Sequence, residues 1–211
     1  MTTRETFING HKCIEYVGTS IYIIEDIIDE TYADKVIKYI EDIELIDTKD
    51  EDESHHGRRL LECKYKHLYK TDDEDIPMDY DIYFKMNKIF SIFHKMNDYI
   101  RIAGDTFYHL RKIYGPTLLH IDEVRSIESN YLHNQIRCLS VIIALNDDFD
   151  GGEFHFPHQN VTHKMKKHSV ILFPPFWTHP HEIYALGEGQ FRYTITTWGT
   201  ENIIPESHFR N

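Results

Sequence analysis

Two stretches in the first half of the chain carry apolar residues at the spacing of helices. The first begins after Asp29, a residue type favoured at N-caps. Its apolar positions share one helical face: Ala33, Val36, Ile37, Ile40 and Ile43. The second follows Pro77 and has the longer apolar stripe: Ile82, Met86, Ile89, Phe93, Met96 and Ile100. Two helices are therefore predicted, and Gly104 is expected to end the second.

After Gly104 the pattern changes to short β-type runs separated by turn residues. About eight runs follow one another: 107–114, 118–124, 138–145, 152–156, 160–164, 169–173, 178–183 and 191–198. This number of strands suits a double-stranded β-helix, the jelly roll. Because two long helices need a surface to cover, we expect them to pack on one of its sheets. The predicted fold class is therefore α+β.

Three other stretches complete the picture of the first half. Short β-branched runs from Ile14 to Ile24 predict one or two strands, and the acidic stretch from Thr48 to Gly57 predicts a loop. The stretch from Arg58 to Tyr69 is mixed and favours neither helix nor strand.

The chain shows no repeat and no linker, so its 211 residues are expected to form a single domain. Residues 1–104 would supply the N-terminal strands and supporting helices. Residues 105–200 would form the jelly-roll core, and residues 201–211 a C-terminal tail.

Composition narrows the range of partners. A net charge of −12 argues against binding to phosphate backbones, so no nucleic-acid partner is expected, whereas a neutral or basic peptide or a small polar molecule fits better. Cys13, Cys63 and Cys138 have neither metal-like nor disulfide-like spacing, which favours a reducing compartment. We find no signal-peptide core and no apolar run of membrane-spanning length. The protein is therefore expected to be soluble and cytoplasmic, with its oligomeric state open.

Candidate metal ligands lie in the second half. His120 and Asp122 are two positions apart, so on a strand both face one side, roughly 7 Å apart along the chain. The pair alone also fits two surface residues of an edge strand. A third ligand is offered by either His179 or His181, and further histidines lie nearby: His155, His158 and His163. Two imidazoles and one carboxylate on one face of a metal are typical of non-haem Fe(II) sites.

Arg192 begins the last apolar run and indicates an anion site. Thr194, Thr196 and Trp198 follow on the same strand face. A buried guanidinium there needs an anion, and its planar fork suits a carboxylate such as that of an α-keto acid. An internal salt bridge to Asp or Glu is the alternative.

Several motifs appear in a fixed order after Tyr114: Arg137-Cys138-Leu139-Ser140 leading to Leu145-Asn146, Gly151-Gly152 with Phe156-Pro157, Pro180-His181-Glu182, and Arg192-Tyr193 leading to Trp198. In this order they resemble the prolyl 4-hydroxylase-like branch of the Fe(II)/2-oxoglutarate-dependent dioxygenases, especially its oxygen-sensing members. The resemblance covers about Tyr114 to Trp198.

This resemblance implies that His120, Asp122 and His181 bind Fe(II). It favours His181 over His179 because the family's distal histidine precedes its basic residue by nine or ten positions, and the gaps here are eleven and thirteen. It further implies that Arg192 binds the far carboxylate of 2-oxoglutarate.

The resemblance assigns supporting roles to four other residues. Thr194 and Tyr114 are expected to contact 2-oxoglutarate, with a core position as the alternative for Tyr114. Arg137 and Trp198 are expected to contact the substrate, although Arg137 also suits a structural cap. The polar connection from Glu123 to Gln135 is expected to be a lid over the substrate.

Two positions depart from the family pattern. Ala144 and Thr117 stand where relatives often carry tyrosine, which affects the expected shape of the pocket and its affinity for the co-substrate.

The implied activity is hydroxylation of prolyl residues in a Pro-containing protein or peptide. Oxoglutarate and dioxygen are the co-substrates, succinate and CO2 are released, and ascorbate is an expected cofactor. The same chemistry on a small molecule or nucleic-acid base is a second hypothesis, because fold does not choose substrate. A non-catalytic jelly-roll interaction protein is the third.

Overall fold

The computed structural model describes residues 2–49, 61–68, 75–122 and 135–202. The acidic loop predicted for 48–57, the lid predicted for 123–135 and the tail predicted for 201–211 lie largely outside the described residues.

Both predicted helices form. Helix α1 spans Glu30–Asp42, and the side chain of Asp29 caps it by accepting a hydrogen bond from the backbone N–H of Tyr32 at 2.8 Å, as predicted. Helix α2 spans Ile76–Met96, with a proline in its first turn.

The predicted end of α2 at Gly104 is wrong. Asn97 leaves the helical conformation, and its side-chain carbonyl accepts hydrogen bonds from the backbone N–H groups of Tyr99 and Ile100, both at 2.9 Å. Because this local bonding replaces the helical ladder, Ile100 lies beyond the helix.

The strands of the described residues are β1 (Thr3–Ile8), β2 (His11–Tyr16), β3 (Ile21–Ile24), β4 (Ile46–Asp47), β5 (Leu61–Leu68), β6 (Gly104–Asp105), β7 (Tyr108–His120), β8 (Gln135–Ala144), β9 (Phe154–Phe156), β10 (Val161–His163), β11 (Val170–Phe173), β12 (His181–Ile183) and β13 (Arg192–Asn202). The two runs predicted at 107–114 and 118–124 are one strand, β7, which ends at His120. Strands β1 and β5 form where no strand was predicted.

These strands pair antiparallel in one curled sheet, in the order β1-β2-β3-β11-β8-β13-β7-β12-β9-β10. Strand β5 pairs with β7 and β4, and β6 pairs with β13. The predicted α+β jelly roll is confirmed.

Side chains alternate between the two faces of the sheet. In β8, Val141 and Ile143 pack toward the core that contains both helices, whereas Ile142 and Ala144 belong to a second core on the inner face. Strand β11 alternates in the same way, with Leu172 and Phe173 on opposite faces. The helices therefore cover one face and leave the inner face for a site.

The three cysteines are buried and form no disulfide. Among the described residues, neither α1 nor α2 has the length and apolarity that crossing a bilayer requires.

Candidate active site

The fold brings His120, Asp122 and His181 together. His120 is the last residue of β7, and it lies directly opposite His181, the first residue of β12. Each of the three offers a ligand atom, and these atoms lie within 4.8 Å of one another. Asp122 follows the end of β7, so it is not on the strand as predicted. The three residues are hereafter the trio.

Backbone carbonyls orient both imidazoles. The Nδ1–H of His120 donates to the carbonyl of Leu118 at 2.8 Å, and that of His181 donates to the carbonyl of His179 at 3.2 Å. In its neutral form, a ring oriented in this way carries its lone pair on Nε2, which is the form that binds metals. The donor set therefore fits Fe(II).

The electrostatics of the trio keep the carboxylate ionised. Burial alone would raise the pKa of Asp122, but the hydrogen bond from His120 and the nearby imidazoles hold it well below its ordinary value. Burial lowers the pKa of His181 to about 4. Burial also opposes the charged form of His120, yet bonding to Asp122 outweighs it and raises that pKa. One ionised carboxylate and an uncharged His181 suit a cation.

The alternative histidines have other partners. The ring Nε2 of His179 lies 2.6 Å from the backbone carbonyl of Thr19, in the turn between β2 and β3. His155 contacts the hydroxyl of Thr162, and His163 that of Tyr16. The geometry thus favours His181 over His179, while the ligand roles stay a prediction.

Two residues of β8 donate hydrogen bonds to Asp122. The hydroxyl of Ser140 donates to its Oδ2 at 2.7 Å, and a guanidinium N–H of Arg137 donates to its backbone carbonyl at 3.1 Å. The Arg137 guanidinium also stacks on the ring of Trp198 at 3.7 Å. Ser140 was not predicted as a site residue, although it lies two positions before the inner-face residue Ile142 and therefore on the same face of β8.

We expect Ser140→Ala to weaken binding of a divalent metal about 10- to 100-fold, because one oxygen of Asp122 loses the partner that orients it. Isothermal titration with Mn(II) measures the effect. Ser169→Ala is a matched control, since Ser169 is equally buried and donates to the carbonyl of Lys166 away from the trio. Equal Mn(II) affinity in both variants would contradict a role for Ser140.

A cavity of about 220 Å³ opens beside the trio on the inner face of the sheet. Its lining combines the trio with residues of neighbouring strands: Leu61, Arg111, Ile113, Thr117, Ile142, Phe154, Ile183, Arg192, Thr194 and Thr196. Apolar walls with a few polar groups are typical of a small-ligand site.

Arg192 is buried in this cavity, and few groups around it compensate the positive charge of its guanidinium. One guanidinium N–H donates to the carbonyl of Gly152 at 3.3 Å, whereas Nε and the hydroxyl of Thr194 have no hydrogen-bond partner within the described part of the chain. Among the described residues, no carboxylate lies within ion-pair distance of Arg192. Burial lowers the pKa of Arg192 to about 10, at which it remains charged at neutral pH. These unsatisfied groups fit the far carboxylate of oxoglutarate.

The other predicted residues divide by location. Thr194 lines the cavity, whereas Arg137 and Trp198 lie outside it, behind Asp122. The expected contact of Tyr114 with 2-oxoglutarate is corrected, because Tyr114 does not line the cavity. It lies on the opposite face of β7 from the lining residue Ile113, and its hydroxyl donates to Asp47 at 2.6 Å. Strand alternation turns it away from the cavity.

Residues 109–200 match the family model of the 2OG-Fe(II) oxygenase superfamily. The match covers the stretch in which the motifs lie, and the resemblance predicted from them is confirmed. No curated protein sequence gives a significant match.

Solved prolyl hydroxylases share the fold. A viral collagen prolyl hydroxylase from Paramecium bursaria Chlorella virus-1, in complex with 2-oxoglutarate, is 14% identical with a TM-score of 0.61, covering 87% of this chain and 97% of its own. A Trichoplax adhaerens prolyl hydroxylase bound to a fragment of hypoxia inducible factor is 17% identical with a TM-score of 0.64, and the match covers 86% of this chain and 84% of its own. A Pseudomonas putida prolyl 4-hydroxylase is 13% identical with a TM-score of 0.62, and the match covers 89% of this chain and 95% of its own. At such identities the likeness establishes a common fold.

Proposed function

We propose that this protein is an Fe(II)- and 2-oxoglutarate-dependent dioxygenase that hydroxylates prolyl residues in a protein or peptide. The observation that carries the proposal is one cavity with a His-Asp-His trio and a buried arginine that has no carboxylate partner in the ranges that the structure describes. Bound iron and oxoglutarate would supply dioxygen activation, with oxoglutarate converted to succinate and CO2 as one oxygen atom enters a substrate C–H bond.

The residues of this chain would divide the work. His120, Asp122 and His181 would hold Fe(II) on one face, leaving its other positions open. Arg192 and Thr194 would bind the far carboxylate of oxoglutarate by charge-assisted hydrogen bonds. Ring and aliphatic side chains in the cavity wall would exclude water: Ile142, Phe154 and Ile183.

A peptide substrate is supported by the surface around the trio. Leu118 and Leu119, which precede His120, are 37% and 45% exposed, and Ile136 beside Arg137 is 49% exposed. Such an apolar rim suits the ring of a proline. Among proteins with this fold, the Trichoplax prolyl hydroxylase is bound to a peptide fragment.

We expect Pro-containing peptides to gain 16 Da when incubated with the protein, Fe(II), 2-oxoglutarate and ascorbate, with one succinate formed for each hydroxylation. Mass spectrometry measures the product, and peptides with alanine in place of proline are the control. Omitting ascorbate tests its contribution, which we expect to be sustained turnover.

Other outcomes separate the rival functions. Succinate without a modified peptide would favour oxidation of a small molecule or nucleic-acid base on the same site. Protein that binds iron and yet makes no succinate with any substrate would favour a non-catalytic interaction protein and overturn the proposal.

A further inference from the structure

A second arginine lines the same cavity. Arg111 lies on β7 directly opposite Thr194 on β13, and one of its guanidinium N–H groups donates to the hydroxyl of Thr196 at 3.3 Å. Arg192 pairs with Ile113, two residues along the same strand. The two arginines therefore come from neighbouring positions of one strand pair and share one cavity.

Arg111 lies between the trio and Arg192. On β13, Thr196 lies between Arg192 and Trp198, and the guanidinium of Arg111 is bonded to its hydroxyl. Trp198 lies opposite Ser140 of β8, whose hydroxyl donates to Asp122. Arg111 therefore lines the part of the cavity between Asp122 and Arg192. Any ligand that spans from the trio to Arg192 passes beside it.

This placement leaves positive charge in excess. Asp122 is the one carboxylate in the described lining, facing two guanidinium groups. A divalent metal at the trio would add to the excess, and two buried cations near each other are unfavourable unless anions compensate them. One carboxylate at Arg192 leaves Arg111 without a counter-charge, so the cavity suits a ligand with two carboxylates.

We propose that Arg111 is a second carboxylate-binding residue, which contacts the carboxylate at the trio end of the co-substrate while Arg192 binds the far one. The inference rests on the proposed function and deepens it, since it assigns one arginine to each end of a dicarboxylic α-keto acid. Thr196 positions the Arg111 guanidinium through their hydrogen bond.

The test compares two ligands in Mn(II)-loaded protein by calorimetric titration. Both 2-oxoglutarate and 2-oxopentanoate have the α-keto acid end, but 2-oxopentanoate lacks the far carboxylate. We expect Arg111→Met to weaken both ligands by a similar factor of about 10 to 100, the size expected for a lost charged hydrogen bond. Arg192→Met is expected to weaken 2-oxoglutarate and leave 2-oxopentanoate unchanged.

Mn(II) titration without a co-substrate separates ligand binding from a structural role. Removing a positive charge near Asp122 is expected to leave Mn(II) affinity equal or higher in Arg111→Met, whereas a damaged site would bind Mn(II) less tightly and overturn the proposal. If Arg111→Met does not fold, Arg111→Lys replaces it, and the same pattern is expected with a smaller factor because lysine lacks the planar fork.

The remaining outcomes distinguish the two proposals. Wild-type protein that does not bind 2-oxoglutarate overturns the proposed function and this inference with it. Wild-type protein that binds 2-oxoglutarate while Arg111→Met binds both ligands normally overturns the inference alone. Loss of 2-oxoglutarate binding with 2-oxopentanoate unaffected would place Arg111 at the far carboxylate and also overturn the assignment.

Discussion

Replacing His181 by alanine is expected to abolish binding of Fe(II) and of its substitute Mn(II). The change removes one of three ligand atoms that lie within 4.8 Å of one another. Removing a residue that hydrogen-bonds to a metal-binding side chain lowers metal affinity roughly 10- to 100-fold. Removing the metal-binding side chain itself should lower metal affinity by more. Calorimetric titration with Mn(II) measures the affinity, and succinate formation measures the activity.

His179→Ala is the matched control for this prediction. Both histidines are buried and only two positions apart, but His179 bonds to the carbonyl of Thr19. Its replacement should lower the free energy of unfolding by about 1 kcal/mol through the lost hydrogen bond and leave Mn(II) affinity unchanged. If instead His179→Ala loses the metal and His181→Ala keeps it, the ligand assignment moves to His179.

The elements with strong periodicity were predictable from sequence, and those shaped by pairing were not. The stripe of α1 and its Asp29 cap are local features, and both form as predicted. Gly115 and Pro116 suggest a turn, yet the chain stays extended through them in β7, where pairing with β5 shifts register between Leu61 and Cys63. Tertiary pairing here overrides the local signal.

Strand β1 has no hydrophobic pattern because its side chains are almost all exposed. It forms by pairing with β2 along its whole length, from Thr3 opposite Tyr16 to Ile8 opposite His11. A strand without a buried face carries no alternation for a sequence pattern to detect.

The residues of the site likewise divide into those that the sequence pattern reveals and one that only strand pairing reveals. The close spacing of His120 and Asp122 and the alternation from Arg192 to Thr194 are visible in the sequence. Arg111 precedes Lys112, and two adjacent charges in a strand resemble a solvent-exposed surface. Only the pairing of β7 between β5 and β13 shows that Arg111 faces the cavity.

Replacing Arg192 by methionine is expected to weaken the interaction with 2-oxoglutarate by about 10- to 100-fold, from the loss of a charged hydrogen bond of about 1.5 to 3 kcal/mol. The same change should leave the protein as stable as the wild type or more stable without ligand. The guanidinium is buried with no carboxylate within ion-pair distance among the described residues, so an apolar side chain of similar length removes an uncompensated charge.

Thermal unfolding with and without 2-oxoglutarate, in Mn(II)-loaded protein, measures both halves of this prediction. Ligand at 100 times its dissociation constant stabilises the wild type by about 2.7 kcal/mol, and about half of this gain or more should vanish in Arg192→Met. Arg192→Lys keeps the charge and should retain part of it. A methionine variant that is strongly destabilised yet still gains the full stabilisation from 2-oxoglutarate would show that Arg192 supports the fold. An anion-binding arginine has the opposite pattern, because its burial costs stability that only the ligand restores.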